Sequence, residues 1–345
     1  MAIYPTYRLR FRSPLHVGER GVGLEAARAH VSADTLFSAL CSMWRELYGL
    51  DALEKELLGG FNERSGNGAP FFLTSAFPFA GETRFFPRPL VKLPAIDGKA
   101  LRRAQFVSEN VFAQIVNGEQ MEPDGDHSVN GGAVWVGAKE KKRLGRWIDD
   151  AEGNVVLWKQ SVSPRVTLDR ITAASVIWHF GSLVFAEGCG LWFAARFNPA
   201  YGAEWRRRFE AALRLLGDSG LGGERGAGHG LFDLEKVEEE SLPDADESHH
   251  FVTLSPCCPK DGAQTAALMA DGENVAYELA PRRGWVTSPE AGNLRRKMVW
   301  MMAEGSVLSK TADDHPGRLV DVRPEVCPHD VWRYGYGFPV GVRLR

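Results

Sequence analysis

Leu216–Phe232 reads LGDSGLGGERGAGHGLF, and seven of its residues are glycine: Gly217, Gly220, Gly222, Gly223, Gly226, Gly228 and Gly230. Glycine reaches positive φ without steric cost and lets a ligand come close to the backbone. Between Gly220 and Gly230 sit one acid, Glu224, one fixed cation, Arg225, and one imidazole, His229. Backbone N–H groups in such a loop can converge on an anion, and a guanidinium can fork onto a phosphate. Upstream, Trp205, Phe209, Leu213 and Leu216 recur at helical spacing over Gly202–Leu216. Downstream, Phe232 and Leu234 alternate with charge over Leu231–Val237, as on a half-buried strand. The order is helix, glycine loop, strand. Nucleotide-binding loops run strand, loop, helix and need GxxxxGK[ST] or GxGxxG, and this stretch holds neither.

A similar pattern opens the chain. Over Tyr4–Phe11 the apolar Tyr7, Leu9 and Phe11 alternate with Arg8, Arg10 and Arg12, which predicts a strand with one basic face. That face is either solvated or a set of phosphate contacts. The loop Ser13–Gly21 follows, with His16 and Arg20. Ser32 or Asp34 can then cap a helix over Asp34–Tyr48, striped by Leu36, Phe37, Leu40, Trp44 and Leu47 and stopped by Gly49. Phe71–Phe79 reads as a second strand, FFPRPLVKLP (Phe85–Pro94) as a proline-fixed loop carrying Arg88 and Lys92, and Phe106–Gly118 as a helix. Asn117–Gln160 has the least regular pattern and holds the basic run KEKKRLGR at Lys139–Arg146. Val176–Phe197 offers two apolar runs, VIWHF and GLWFAARF, as strands of a second domain.

Composition is that of an ordinary globular chain, 44% hydrophobic and 25% charged, and its 345 residues are long enough for two domains. No apolar run is long enough to span a bilayer and the first residues lack the apolar core of a signal peptide, so the expected location is the cytoplasm. Five cysteines with no CxxC pair argue against a disulfide framework and a structural zinc site. The formal net charge is −3, but residues 1–175 hold 22 Lys and Arg against 20 Asp and Glu, and the remainder 19 against 24. Nucleic acid would therefore be bound through local patches, with acidic areas left for protein partners or solvent.

SVSPRVTLDRITAAS (Ser161–Ser175) places Arg165 and Arg170 around a strand-to-turn segment, with Asp169 available to orient a guanidinium. GDSGLGGERGAGHGLF together with PRVTLDR, HVSADTLFSAL (His30–Leu40) and the closing GRLVDVRPEVCPHDVWRYGYGFPVGV resembles the RAMP superfamily of CRISPR RNA-binding proteins. Within it, the similarity is to the family of the fourth Csm subunit, from type III-A effector complexes. That resemblance implies an α+β fold of two ferredoxin-like, RRM-like βαββαβ domains. The first would span 1–175 with a thumb-like insertion at about 117–160. The second would span 176–345 and carry the glycine-rich loop at 217–230. It further implies a non-catalytic subunit that holds the repeat-derived 5′ handle of the guide RNA (crRNA). Its partners would be a large polymerase-like subunit, the backbone RAMP subunit and, in the assembled complex, target RNA. The RNA-binding positions would be Gly222, Gly223, Glu224, Arg225, Gly226, Gly228 and His229, supported by His16, Gly18, Arg20, Ser32, Arg88, Lys92, Arg165 and Arg170. No cofactor or metal is implied.

Related RAMP proteins that mature guide RNA use a histidine as general acid or base, which makes His16, His30 and His229 the candidates for the alternative, a metal-independent endoribonuclease. Nothing in the spacing pairs them. His329-Asp330 is an isolated HD dipeptide, and HExxH, a Walker lysine and GxSxG are all missing.

Overall fold

A computed structural model describes residues 3–18, 27–62, 68–91, 98–119, 127–149, 153–172, 174–235, 238–244, 248–288, 290–291 and 294–344. The alternation in the first strand and the stripe in the first helix produce the elements they predict. β1 spans Ile3–Phe11 and α1 spans Ala33–Asp51. Inside α1 the backbone leaves helical geometry at Gly49, whose φ of 86° only glycine adopts freely, so the first run of helix ends where expected. Next come β2 (Phe71–Leu73), β3 (Phe77–Ala80), β4 (Thr83–Pro87), β5 (Phe106–Ser108), α2 (Glu109–Val116), β6 (Ser128–Val129) and β7 (Val134–Trp135). A long ribbon, β8 (Trp158–Leu168) and β9 (Ser175–Phe185), leads into β10 (Cys189–Phe197), α3 (Gly202–Ser219), β11 (Phe232–Leu234) and β12 (Glu238–Ser241).

The fold is α+β, built on one large mixed sheet in the order β11-β1-β10-β3-β4-β5-β7-β6, with β12 also on β1 and β2 on β10. Four of these strands with two helices repeat a compact pattern: strand, helix, strand, strand, helix, strand, ordered fourth-first-third-second with antiparallel neighbours. That pattern joins β1, α1 and β3 to β10, α3 and β11, so residues far apart in the chain close a single unit. Position 175 begins the returning strand of the β8–β9 ribbon, and strands from both sides of it share the sheet.

The apolar run in β10 has a simple cause. Leu191, Phe193 and Ala195 pack under α1 and α3 with Tyr7, Leu9, Phe37, Trp44, Phe209 and Leu213. Trp192 and Ala194 face the opposite core with Phe77, Phe86, Phe112 and Val134. A strand buried on both faces has no polar side to show.

The stretch expected to project, 117–160, does not do so among its described residues. β6 and β7 add to the end of the sheet, and Val134, Val136, Leu144, Val155 and Leu157 enter the core. The basic helix Ala138–Arg143 within it is pinned by a buried Glu140, which accepts from the backbone N–H groups of Asn110 and Gly137.

The remaining elements are β13 (His250–Thr253), α4 (Gly262–Leu268), β14 (Leu279–Arg282), β15 (Val299–Met302), β16 (Val307–Ser309), β17 (Gly317–Asp321), β18 (Trp332–Tyr336) and β19 (Pro339–Val342). β13 is the centre of a three-stranded sheet between β16 and β19, while β14–β15 and β17–β18 are separate hairpins. This region is fastened to α1 by charge. Asp34, fully buried, accepts from both Arg282 and Arg333. The two guanidinium groups hold its carboxyl down to about 2 against the cost of burial.

Candidate nucleic-acid interface

Helix α3 ends at Gly220, in positive φ, with its N–H on the Leu216 carbonyl. The chain then doubles back on itself. Leu221 N–H donates to the Gly230 carbonyl at 2.9 Å, and a Cβ on Gly230 would lie 2.0 Å from the Leu221 carbonyl oxygen. Gly222 approaches the His16 carbonyl equally closely, 2.3 Å from an added Cβ, and Gly223 N–H donates to that same oxygen at 2.9 Å. Gly230 N–H donates to the Pro14 carbonyl, and Leu231 N–H to the Ser13 hydroxyl. Backbone contact with the 13–18 loop therefore demands these glycines. Gly226 and Gly228 face open space and form the exposed tip with Glu224, itself in left-handed geometry at φ 57°.

The third wall is the β8–β9 ribbon. Leu15 and Leu183 exchange backbone hydrogen bonds, and His16 Nδ1 lies 2.5 Å from the Gly181 carbonyl. The Phe180 ring sits between two imidazoles, 4.3 Å from His16 and 5.2 Å from His229 by ring centroids. Arg165 reaches over the same ring, its Cζ 5.6 Å from the centroid, and its Nη2 lies 3.5 Å from His229 Nε2. Arg165, His16, His229, Phe180 and the glycine tip thus come together from four separate stretches of chain. The Phe180 ring is buried and props the groups around it, while the half-buried Arg165 guanidinium beside the exposed backbone loop can take a phosphate.

Beyond this cradle the ribbon continues for the rest of its two 11-residue strands, with Val162, Val166, Leu168, Ile171, Val176 and Ile177 exposed. Among the described residues Asp169 pairs with no arginine. It accepts from the Ile171 and Thr172 N–H groups and closes the turn, which leaves Arg170 exposed beside it.

A family model for the CRISPR Csm4 C-terminal domain matches residues 246–342. A CRISPR-system Csm4 protein of Thermococcus onnurineus is 28% identical over 330 residues, covering 90% of this chain and 91% of the relative. One from Streptococcus thermophilus is 26% identical over 349 residues, covering 96% of each. The chain is thus similar to Csm4 proteins along nearly its whole length, and its last third matches that family's C-terminal domain. Two solved structures share its fold. One is a Csm3–Csm4 subcomplex of a type III-A CRISPR–Cas interference complex, with a TM-score of 0.66 and 18% identity over 99% of this chain and 100% of that one. The other is a Csm1–Csm4 cassette, with a TM-score of 0.60 and 22% identity over 100% and 99%.

Not every expected position of this Csm4-like chain lies at the cradle. Gly18 bridges to Ala27 just beside His16, whereas Arg20 and Lys92 fall outside the described residues. Ser32 is buried at the start of α1, where its carbonyl accepts from Thr35 and Leu36. Arg88 donates to the Ala104 carbonyl, and burial lowers its pKa below the usual guanidinium range. Its own carbonyl is crowded by Gly305, so it belongs to a junction between strands. Arg225 is half-buried, its aliphatic stem against Gly220. Phe180 was not among the expected positions. The alternation of Trp178 and Phe180 in VIWHF was the available signal, but the partner face of that strand is set by residues 13–18, more than 160 positions away. Among the described residues, no group of three or more His, Cys, Asp or Glu side chains is placed to hold a metal ion, and no helix is long and apolar enough to cross a membrane.

Proposed function

We propose that this chain is a non-catalytic, cytoplasmic subunit of a type III-A CRISPR interference complex that grips the repeat-derived 5′ handle of the guide RNA in the glycine-loop cradle. The observation that carries the reading is the convergence of Arg165, His16, His229 and the glycine tip around Phe180. Single-stranded RNA is held by phosphate contacts while its splayed bases stack or bond at their edges, and the cradle offers Arg165, Arg225 and the exposed glycine tip for phosphates, with His229 for a base edge. The exposed β8–β9 ribbon takes the thumb role: its bare Val, Ile and Leu side chains suit a wedge against base pairs of a guide–target duplex. The βαββαβ unit completed by β11 is one ferredoxin-like domain. We assign a reduced second one to β13, α4, β16 and β19, with the Ala276–Val307 bridge supplying its remaining edge. Relatives solved with Csm1 and with Csm3 support partners of those two classes, a large subunit and a backbone subunit.

Sequencing the RNA that co-purifies with the chain from its host tests the reading. Reads sharing one repeat-derived 5′ end are expected, and Arg225→Ala should lower their yield without loss of solubility. Random or absent RNA would overturn handle binding. The flanking of one ring by His16 and His229 keeps the endoribonuclease as the second reading. It requires a discrete RNA product without metal that disappears in His229→Ala.

A further inference from the structure

The hairpin β14–β15 has two unlike faces. Its inner face carries Arg282, locked onto the buried Asp34. On the outer face stand Leu279 of β14 and Trp300 of β15, with Tyr277, Trp285 and Met298 just beyond the strand ends, and all five are 45–52% exposed. Scattered exposed apolar residues are ordinary, but a contiguous set rich in Trp and Met is not. Three cations interrupt it. Arg295 stacks on Trp285 at 4.9 Å, Arg283 donates to the Met298 sulfur at 3.0 Å, and Lys297 is exposed. Among the described residues none of the three meets a carboxylate, whereas Arg8, Arg10, Arg12, Arg84, Arg206 and Arg208 all do.

We propose that this outer face is a protein-docking surface, and that its partner presents apolar sockets rimmed by carboxylates. Trp, Met and Arg are the residues enriched in the buried centre of protein interfaces and among their energetic hot spots. Pro281 lies opposite Trp300 with Leu279 two residues beyond it, and Met298 is two residues from Trp300 on the side towards Trp285; none of the three offers a flat face to a base, so a protein fits better than a nucleic acid. The unpaired cations supply the complementarity: buried against a neutral partner they would lose hydration without return, so the partner must carry the acids. The assay, though not the surface, rests on the assembly reading above.

The test compares the full chain with Trp285→Ala/Trp300→Ala and, separately, with Arg295→Glu/Lys297→Glu, whose exposed positions leave folding intact should the first pair unfold. Affinities for the purified large subunit and backbone subunit are measured, together with recovery of guide RNA and binding of a ten-nucleotide oligouridine. Both variants should lose at least tenfold in affinity for one protein subunit and keep the RNA. The charge-reversed variant should also lose most of the salt dependence of that affinity. Unchanged protein affinities overturn the proposal. So does a loss confined to the RNA probe, or a change only in the self-association of the isolated chain. If the wild-type chain recovers neither RNA nor subunits, the assembly reading falls and this partner falls with it. Normal wild-type recovery with indifferent variants removes this surface alone.

Discussion

The first strand and the long ribbon both carry arginines beside apolar positions, and the fold treats them in opposite ways. On β1, Arg8 is buried between Glu82 and Glu240, Arg10 pairs with Glu235, and Arg12 with Asp218 and Asp233. Four of those five acids belong to the acidic second half of the chain, which returns through β11 and β12 to lie against β1. On the ribbon, Arg165 meets an imidazole and a ring, and Arg170 stands exposed at the turn. A cation already matched by an acid gains little from a phosphate, because the old pair must be broken to form the new one. The lesson is that an arginine's availability is decided by which acids the sheet brings beside it.

Four experiments break or sharpen that contrast. The largest effect belongs to the most deeply matched pair. Asp34→Ala should destabilise the chain by about 3–5 kcal/mol in denaturant unfolding, because Arg333 is left buried without its carboxylate and Arg282 keeps only the nearby charge of Glu304. A loss below about 1 kcal/mol would mean that the junction is held by packing. Arg196 is next: it donates to His315 at 3.1 Å and pairs with Asp314. Burial pushes the His315 imidazole down to about 4 from its ordinary 6.5, so the unfolded chain binds the extra proton between those values. Stability is therefore complete above pH 6.5 and falls by about 1.4 kcal/mol per pH unit towards pH 4, a slope that His315→Gln should flatten in urea titrations at pH 7 and 4.5.

Arg165→Glu should reduce guide RNA retention roughly tenfold or more, the scale of one charged hydrogen bond, with the melting temperature held. Retention equal to wild type would place the RNA elsewhere. The smallest effect is expected from Arg10→Ala. It removes a half-exposed pair and should cost less than about 1 kcal/mol, with RNA retention unchanged. RNA loss here would show that β1 is part of the interface after all.

Much of the local structure was legible beforehand. The helix before the glycine loop, the strand after it and the break at Gly49 all appear where periodicity and glycine placed them. The loop glycines were recognisable as a set. Their division was not: Gly217, Gly220, Gly222 and Gly230 serve close backbone approach, while Gly226 and Gly228 shape an open tip. The resemblance places a thumb-like insertion at about 117–160, a stretch that also lacks a clear period. Residues 158–185 pair as the long β8–β9 ribbon, whose alternation reads like any half-buried strand pair.

By itself the sequence determined the elements, because strand alternation, helical stripes and positive-φ glycines act within a few residues of one another. Tertiary structure alone decided which arginines are matched, which strands pair as the long ribbon and how the glycine loop joins the first strand's unit. Those outcomes depend on residues 3–18 meeting 181–241, and on Asp34 meeting Arg282 and Arg333. Contacts across such separations leave no periodic trace in a single chain, since charge and burial are properties of the neighbours that folding supplies.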